Sequence, residues 1–128
     1  MTASKKSIVL VGTVAAFFLA MGLMVLLDPA THGMMAIYSP PAFEADMRNE
    51  VRAVYGGFGV AIAALLVSTF YSDAIRLGAR VAVAVALGGM ALGRVISFMI
   101  EPADSIWPAL TIGMELALAA MLLVARQD

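Results

Sequence analysis

The chain has 128 residues, of which 62% are hydrophobic and 13% charged, with a mean hydropathy of +0.97. So few charges cannot cover a water-facing surface, so the apolar residues must face lipid. The net charge of -1 gives no reason to expect nucleic acid as a partner, and the absence of cysteine excludes disulfides, thiolate metal sites and thiol chemistry while leaving the redox compartment undetermined.

A short polar start carries Lys5 and Lys6. Ile8 to Leu27 follows without a charge, and at about 1.5 Å per residue this run reaches across a hydrocarbon core of roughly 30 Å. Two lysines ahead of an apolar run also fit the head of a signal peptide. The run is long for one, however, and Asp28-Pro29-Ala30-Thr31-His32 is a poor cleavage site, so we read a retained helix. The connection from Asp28 to Asn49 is punctuated by Pro29, Pro40 and Pro41. Phe43, Met47 and Val51 then recur at i, i+4 and i+8. This spacing predicts a second helix that begins near Ala42, runs along or out of the interface, and enters the membrane at about Ala53. Its apolar part extends to Tyr71 and opens on Tyr55-Gly56-Gly57-Phe58-Gly59, glycines of the kind that let membrane helices approach closely. A turn from Ser72 to Gly78 carries Asp73 and Arg76. Arg80 heads the third run, Val81 to Ile100; Glu101 to Trp107 form another turn, and Pro108 to Ala125 make the last run.

The expected architecture is all-α: a single integral membrane domain with spans at about 8–27, 53–71, 81–100 and 108–125, folded as an up-down-up-down four-helix bundle. Lys5, Lys6, Arg76, Arg80 and Arg126 fall on one side, which predicts that both termini are cytoplasmic. Tyr38, Tyr55 and Trp107 would then lie near the outer interface.

Two charges stand out because they lie inside apolar runs. Arg94 is the only full charge between Val81 and Ile100, and Glu115 the only one in the last run. Charges at membrane depth are expensive. Arg94 lies about 9 Å below the outer end of its helix and Glu115 about 10 Å below the outer end of the next, so the two are expected to pair. Asp28, Arg52 and Glu101 converge on the same half. Ala91, Arg94, Ser97 and Glu101 share one helical side, Thr111 and Glu115 another, and Arg48, Arg52, Tyr55 and Gly59 a third. Gly89 and Gly93 form a small-xxx-small pair predicted to lie against a neighbouring helix. The pair of charges can serve as a register device or as a ligand or proton site. Arg52, Tyr55 and Thr111 favour a polar pocket, in which a surplus of arginine would hold a carboxylate or phosphate.

Other signals point nowhere in particular. The methionines, among them Met21, Met24, Met34, Met35 and Met90, are read as flexible filler, not a copper site, and His32 as a solvated loop residue. Gly56-Gly57-Phe58-Gly59 follows no strand and is not a phosphate loop. No nucleophilic triad, zinc motif or haem-ligating pair is present, so no catalytic residue, metal or cofactor is expected.

Asn49-Glu50-Val51-Arg52-Ala53-Val54-Tyr55-Gly56-Gly57, then Leu92-Gly93-Arg94-Val95-Ile96-Ser97, then the single Glu115, resemble domain of unknown function 4345, a group of small bacterial membrane proteins with four helices. The resemblance covers most of the chain. It implies the fold type and a signature role for Asn49, Arg52, Tyr55, Arg94 and Glu115, and it implies no activity. The expected function is binding of a small amphipathic ligand or lipid head group at Asn49, Arg52, Tyr55, Arg94, Thr111 and Glu115, with membrane lipid as partner. The alternatives are an accessory subunit of a larger membrane complex, or a homo-oligomer. A proton-linked carrier or membrane enzyme using Glu115 ranks last.

Overall fold

A computed structural model describes residues 4–29, 44–100 and 106–125. Among these residues all regular secondary structure is helical. Helix α1 is Lys5–Leu27, α2 is Glu44–Val51, α3 is Phe58–Ser68, α4 is Asp73–Ile100 and α5 is Trp107–Ala125. Between α2 and α3 the chain does not break but widens into a π-helical segment, Arg52–Gly57. Four stretches are long and apolar enough to cross a membrane: Lys5–Leu27, Arg48–Ser68, Asp73–Ile100 and Trp107–Ala125. Helix is the form that satisfies every backbone N–H and C=O within one segment, which apolar surroundings demand.

A helix stands at each of the four expected apolar runs, with shifted ends. Helix α1 starts at Lys5 because Ser4 caps it, its hydroxyl accepting from Ser7 N–H at 3.1 Å. The second span stops at Ser68, and Tyr71 lies in the following turn, which is closed by Thr69 N–H to Leu66 O, Phe70 N–H to Val67 O and Tyr71 N–H to Ser68 O. The third helix begins at Asp73, not Val81. Asp73 sits in its first turn, where a carboxylate suits the helix dipole, and bonds Arg76 at 2.6 Å. Arg76 and Arg80, expected in and beside a loop, are therefore helical, and Arg80 is only 2% exposed.

Each span packs against two others: α1 on α3 and α5, and α4 on α3 and α5. This closes an up-down-up-down ring. Its core consists of Val11, Val14, Ala15, Leu66, Val83, Ala84, Leu87, Leu118, Ala119, Leu122 and Ala125. All lie toward the end of the bundle that holds the starts of α1 and α4. At the other end, among the described residues, Val25 and Val51 form a second small cluster, between α1 and α2. Just 22% to 28% of each apolar window is buried within the protein, so most of the apolar surface faces outward.

One crossing sets how closely α1 approaches its neighbour. A Cβ on Gly22 would lie 2.8 Å from Val60 N and 2.9 Å from Gly56 O, and one on Gly59 would lie 3.1 Å from Gly22 Cα. These obstacles are backbone and cannot turn aside. The expectation for Gly89 and Gly93 is overturned: both are exposed, and a Cβ on either meets nothing within 4 Å. They lie across the helix from the buried Leu87 and Ala91, on its outward side. Gly22→Ala should accordingly lower thermal stability in detergent, by about 1–3 kcal/mol as for other overpacked sites, while Gly93→Ala should leave it unchanged or raise it slightly. Equal melting temperatures for Gly22→Ala and the parent would show that this crossing is not as tight as drawn.

Candidate functional site

Arg94 and Glu115 meet. Arg94 Nε donates to both carboxylate oxygens of Glu115, at 3.0 and 3.3 Å. Side chains on a helix lean toward its N-terminus. Since α4 and α5 are antiparallel, Arg94 leans toward the middle of the bundle and Glu115 leans back toward it. Consecutive helices at matched depth therefore bring the two into register. The pair is unequal: the Glu115 side chain is 3% exposed and that of Arg94 is 39% exposed.

The other arginines are used differently. Arg52 Nε donates to Leu26 O at 3.2 Å, Arg76 Nε to Thr69 O at 2.9 Å, and Arg80 Nη1 to Ala125 O at 2.9 Å. Each of these carbonyls lies at the C-terminal end of a helix, where no later N–H reaches it. All three arginines thus serve helix C-termini, as cations are suited to do. Arg94 does not. Only its Nε is engaged, and its Nη1 and Nη2 have no hydrogen-bond partner among the described residues.

The remaining expected site residues are dispersed. Neither Arg52 nor Tyr55 is hydrogen-bonded to Arg94 or Glu115. Both are exposed on the π-helical segment, which packs chiefly on α1. That segment also corrects the expected face. Phe58 N–H bonds Ala53 O, five residues back, so the extra residue turns Gly56 and Gly59 inward and leaves Arg52 and Tyr55 outside. Asn49 is exposed on α2. Thr111 Oγ1 lies 3.1 Å from Trp107 O and 2.9 Å from Pro108 O, so its proton is spent on its own helix. Thr13, Ser68 and Thr69 do the same, the ordinary habit of hydroxyls in apolar helices. Ser97 is exposed. Glu101, His32, Met34, Met35 and Tyr38 lie outside the described residues.

Arg80 was not among the expected site residues. The signal was available: Arg80, Leu87 and Arg94 recur every seven residues, so Arg80 shares the inward face with Arg94. Among the described residues no three His, Cys, Asp or Glu side chains come together as a metal site.

Breaking the pair should have asymmetric consequences. Arg94→Met strands the buried carboxylate and should cost about 3 kcal/mol, whereas Glu115→Leu leaves a half-exposed arginine and should cost about 1–2 kcal/mol. The double variant should be less destabilised than the sum of the singles, with a coupling of about 1–2 kcal/mol in a double-mutant cycle read by chemical denaturation. Additive effects would mean that the two side chains are not partners.

No curated protein and no solved structure matches the chain significantly. A family does match, over residues 7–126: Domain of unknown function (DUF4345). With nearly its whole length covered by that match, the chain belongs to the DUF4345 family.

Proposed function

We propose that the protein is a small bacterial inner-membrane protein that binds an amphipathic ligand or lipid head group at the Arg94–Glu115 pair. The observation that carries this reading is the uncommitted end of the Arg94 guanidinium. A guanidinium stays charged under all relevant conditions and carries five N–H donors. Nε is held by Glu115, and the four N–H groups on Nη1 and Nη2 have no acceptor among the described residues. Inside a bilayer such donors need a partner, and water is scarce there. On Arg94's own side of α4, Met90 and Val95 are exposed and Phe98 is half-buried, apolar side chains that suit an acyl chain, with the polar Ser97 exposed beside them. Asn49, Arg52 and Tyr55, exposed on α2 and the π-helical segment, are not bonded to the pair, and the Thr111 hydroxyl is bonded within its own helix, so the reading rests on Arg94 and Glu115 and not on these four.

A second reading, an accessory subunit of a larger membrane complex or a homo-oligomer, has its own support. Gly78, Ala82, Ala86, Gly89, Gly93 and Ser97 are all exposed along one outward side of α4, and the glycines there meet nothing within 4 Å. Small residues at such spacing let another helix approach.

Native mass spectrometry of the detergent-purified protein separates the two. The binding reading expects a monomer carrying a co-purifying mass that Arg94→Gln loses and Gly89→Leu retains. The subunit reading expects a larger assembly that Gly89→Leu breaks apart, with no bound amphiphile. The orientation follows from the basic residues at the starts of α1 and α4, which would face the cytoplasm. A Ser105→Cys variant should therefore react with an impermeant thiol reagent added outside intact cells; labelling only after lysis would reverse the topology.

A further inference from the structure

Granting the binding reading, we infer the chemistry of the group held: an oxyanion, carboxylate or phosphate, on a membrane-resident amphiphile, with Glu115 as the positioning residue for Arg94 and not as a ligand. Three features exclude other head groups. First, the accessible edge of the pair consists of donors alone. Arg94 presents Nη1 and Nη2 and can accept nothing. Second, the acceptor in the pair is withdrawn: at 3% exposure, with both oxygens turned to Arg94 Nε, the Glu115 carboxylate offers no surface to an ammonium or metal ion. Third, the two Nη atoms form a planar fork that matches two oxygens of one carboxylate or phosphate, a geometry a hydroxyl or an amide carbonyl fills only singly.

The held Nε explains why the fork is oriented at all. A free arginine rotates about its side-chain bonds, and ordering it would weaken binding. Glu115, buried on α5, clamps the guanidinium plane through Nε and leaves Nη1 and Nη2 without an acceptor among the described residues, on a side chain that is 39% exposed. It also neutralises the charge when no ligand is present, so the empty site is not an isolated cation. The apolar side chains beside Arg94 make a tail-bearing anion a better fit than a soluble one, because Met90, Val95 and Phe98 gain nothing from a bare ion.

The test uses the full chain in maltoside micelles with five probes in turn: dodecyl phosphate, dodecanoate, dodecylamine, dodecanol and inorganic phosphate. Binding is read by native mass spectrometry and by the shift in melting temperature. Dodecyl phosphate or dodecanoate should be retained and should raise the melting temperature, whereas dodecylamine, dodecanol and inorganic phosphate at the same concentration should not. Arg94→Lys keeps a cation beside Glu115 but removes the fork, and should weaken anion binding about tenfold or more. Glu115→Gln keeps an acceptor for Nε and should still bind the anion. Stabilisation by inorganic phosphate equal to that by dodecyl phosphate would assign the site to a soluble ion and overturn the amphiphile. Retention of dodecylamine or dodecanol in preference to the anions, undiminished anion binding by Arg94→Lys, or loss of it in Glu115→Gln with the fold intact, would overturn the oxyanion assignment while leaving an amphiphile site standing. Retention of none of the probes would end the binding reading itself.

Discussion

In apolar surroundings a helix cannot leave its last carbonyls bare, and in this protein arginines meet them. Arg52 bonds the end of α1, Arg76 the turn after α3, and Arg80 the end of α5. Each bond joins one helix end to another element, or in the case of Arg76 reaches back across a turn. The C-termini of three helices are thereby fixed by side chains that a water-facing protein would leave at its surface. Arg80 is the extreme case: a charged donor only 2% exposed meets an orphan carbonyl at 2.9 Å, a bond that offsets part of the cost of its burial. The four-residue turn between α3 and α4 is held likewise by the Arg76–Thr69 and Arg76–Asp73 contacts.

Glycine shows how position overrides residue type. Gly22, Gly56 and Gly59 sit where a Cβ would crowd α1 against the second span, while among the described residues a Cβ on Gly78, Gly89 or Gly93 meets nothing within 4 Å. The π-helical segment decides the first group. Its one extra residue re-phases the second span, so that Gly56 and Gly59 share an inward side with Ala63 and Leu66. A regular helix through this segment would set the α2 residues, including Val51, about 100° out of step with α3. The cluster of Val25 with Val51, and the reach of Arg52 to Leu26, would both be lost.

Apolar runs interrupted by proline and charge made the four spans legible in the sequence, and two lone charges at matched depth made the Arg94–Glu115 pair legible. Those inferences rest on strong, local penalties. The helix starts were harder to read because charge is a poor marker of a helix end when arginine can be buried against a carbonyl. Arg76 and Arg80 read as lying in and beside a loop for that reason, although the seven-residue spacing of Arg80, Leu87 and Arg94 carries the contrary signal. The π-helical segment leaves no period in so short a stretch, and the faces assigned to Arg52 and Tyr55 failed with it. Gly89 and Gly93 were misplaced because small residues at i and i+4 permit close approach without saying that a partner is present.

The structural and functional readings of the Arg94–Glu115 pair are not rivals. Along α4 the last fully buried residue is Ala91, and along α5 the first is Glu115. The pair therefore sits where apolar packing between these helices gives out, and it extends their contact beyond the core. A lysine could have made that contact with its single nitrogen, but its remaining N–H groups diverge and present no planar pair of donors. Arginine divides the work: Nε secures α4 to α5, and the opposite edge of the same plane stays available. Holding a helix pair together and presenting two parallel donors are then one act of one side chain, and the burial of Glu115 serves both, because a carboxylate open to the outside would compete for the edge that its partner leaves free.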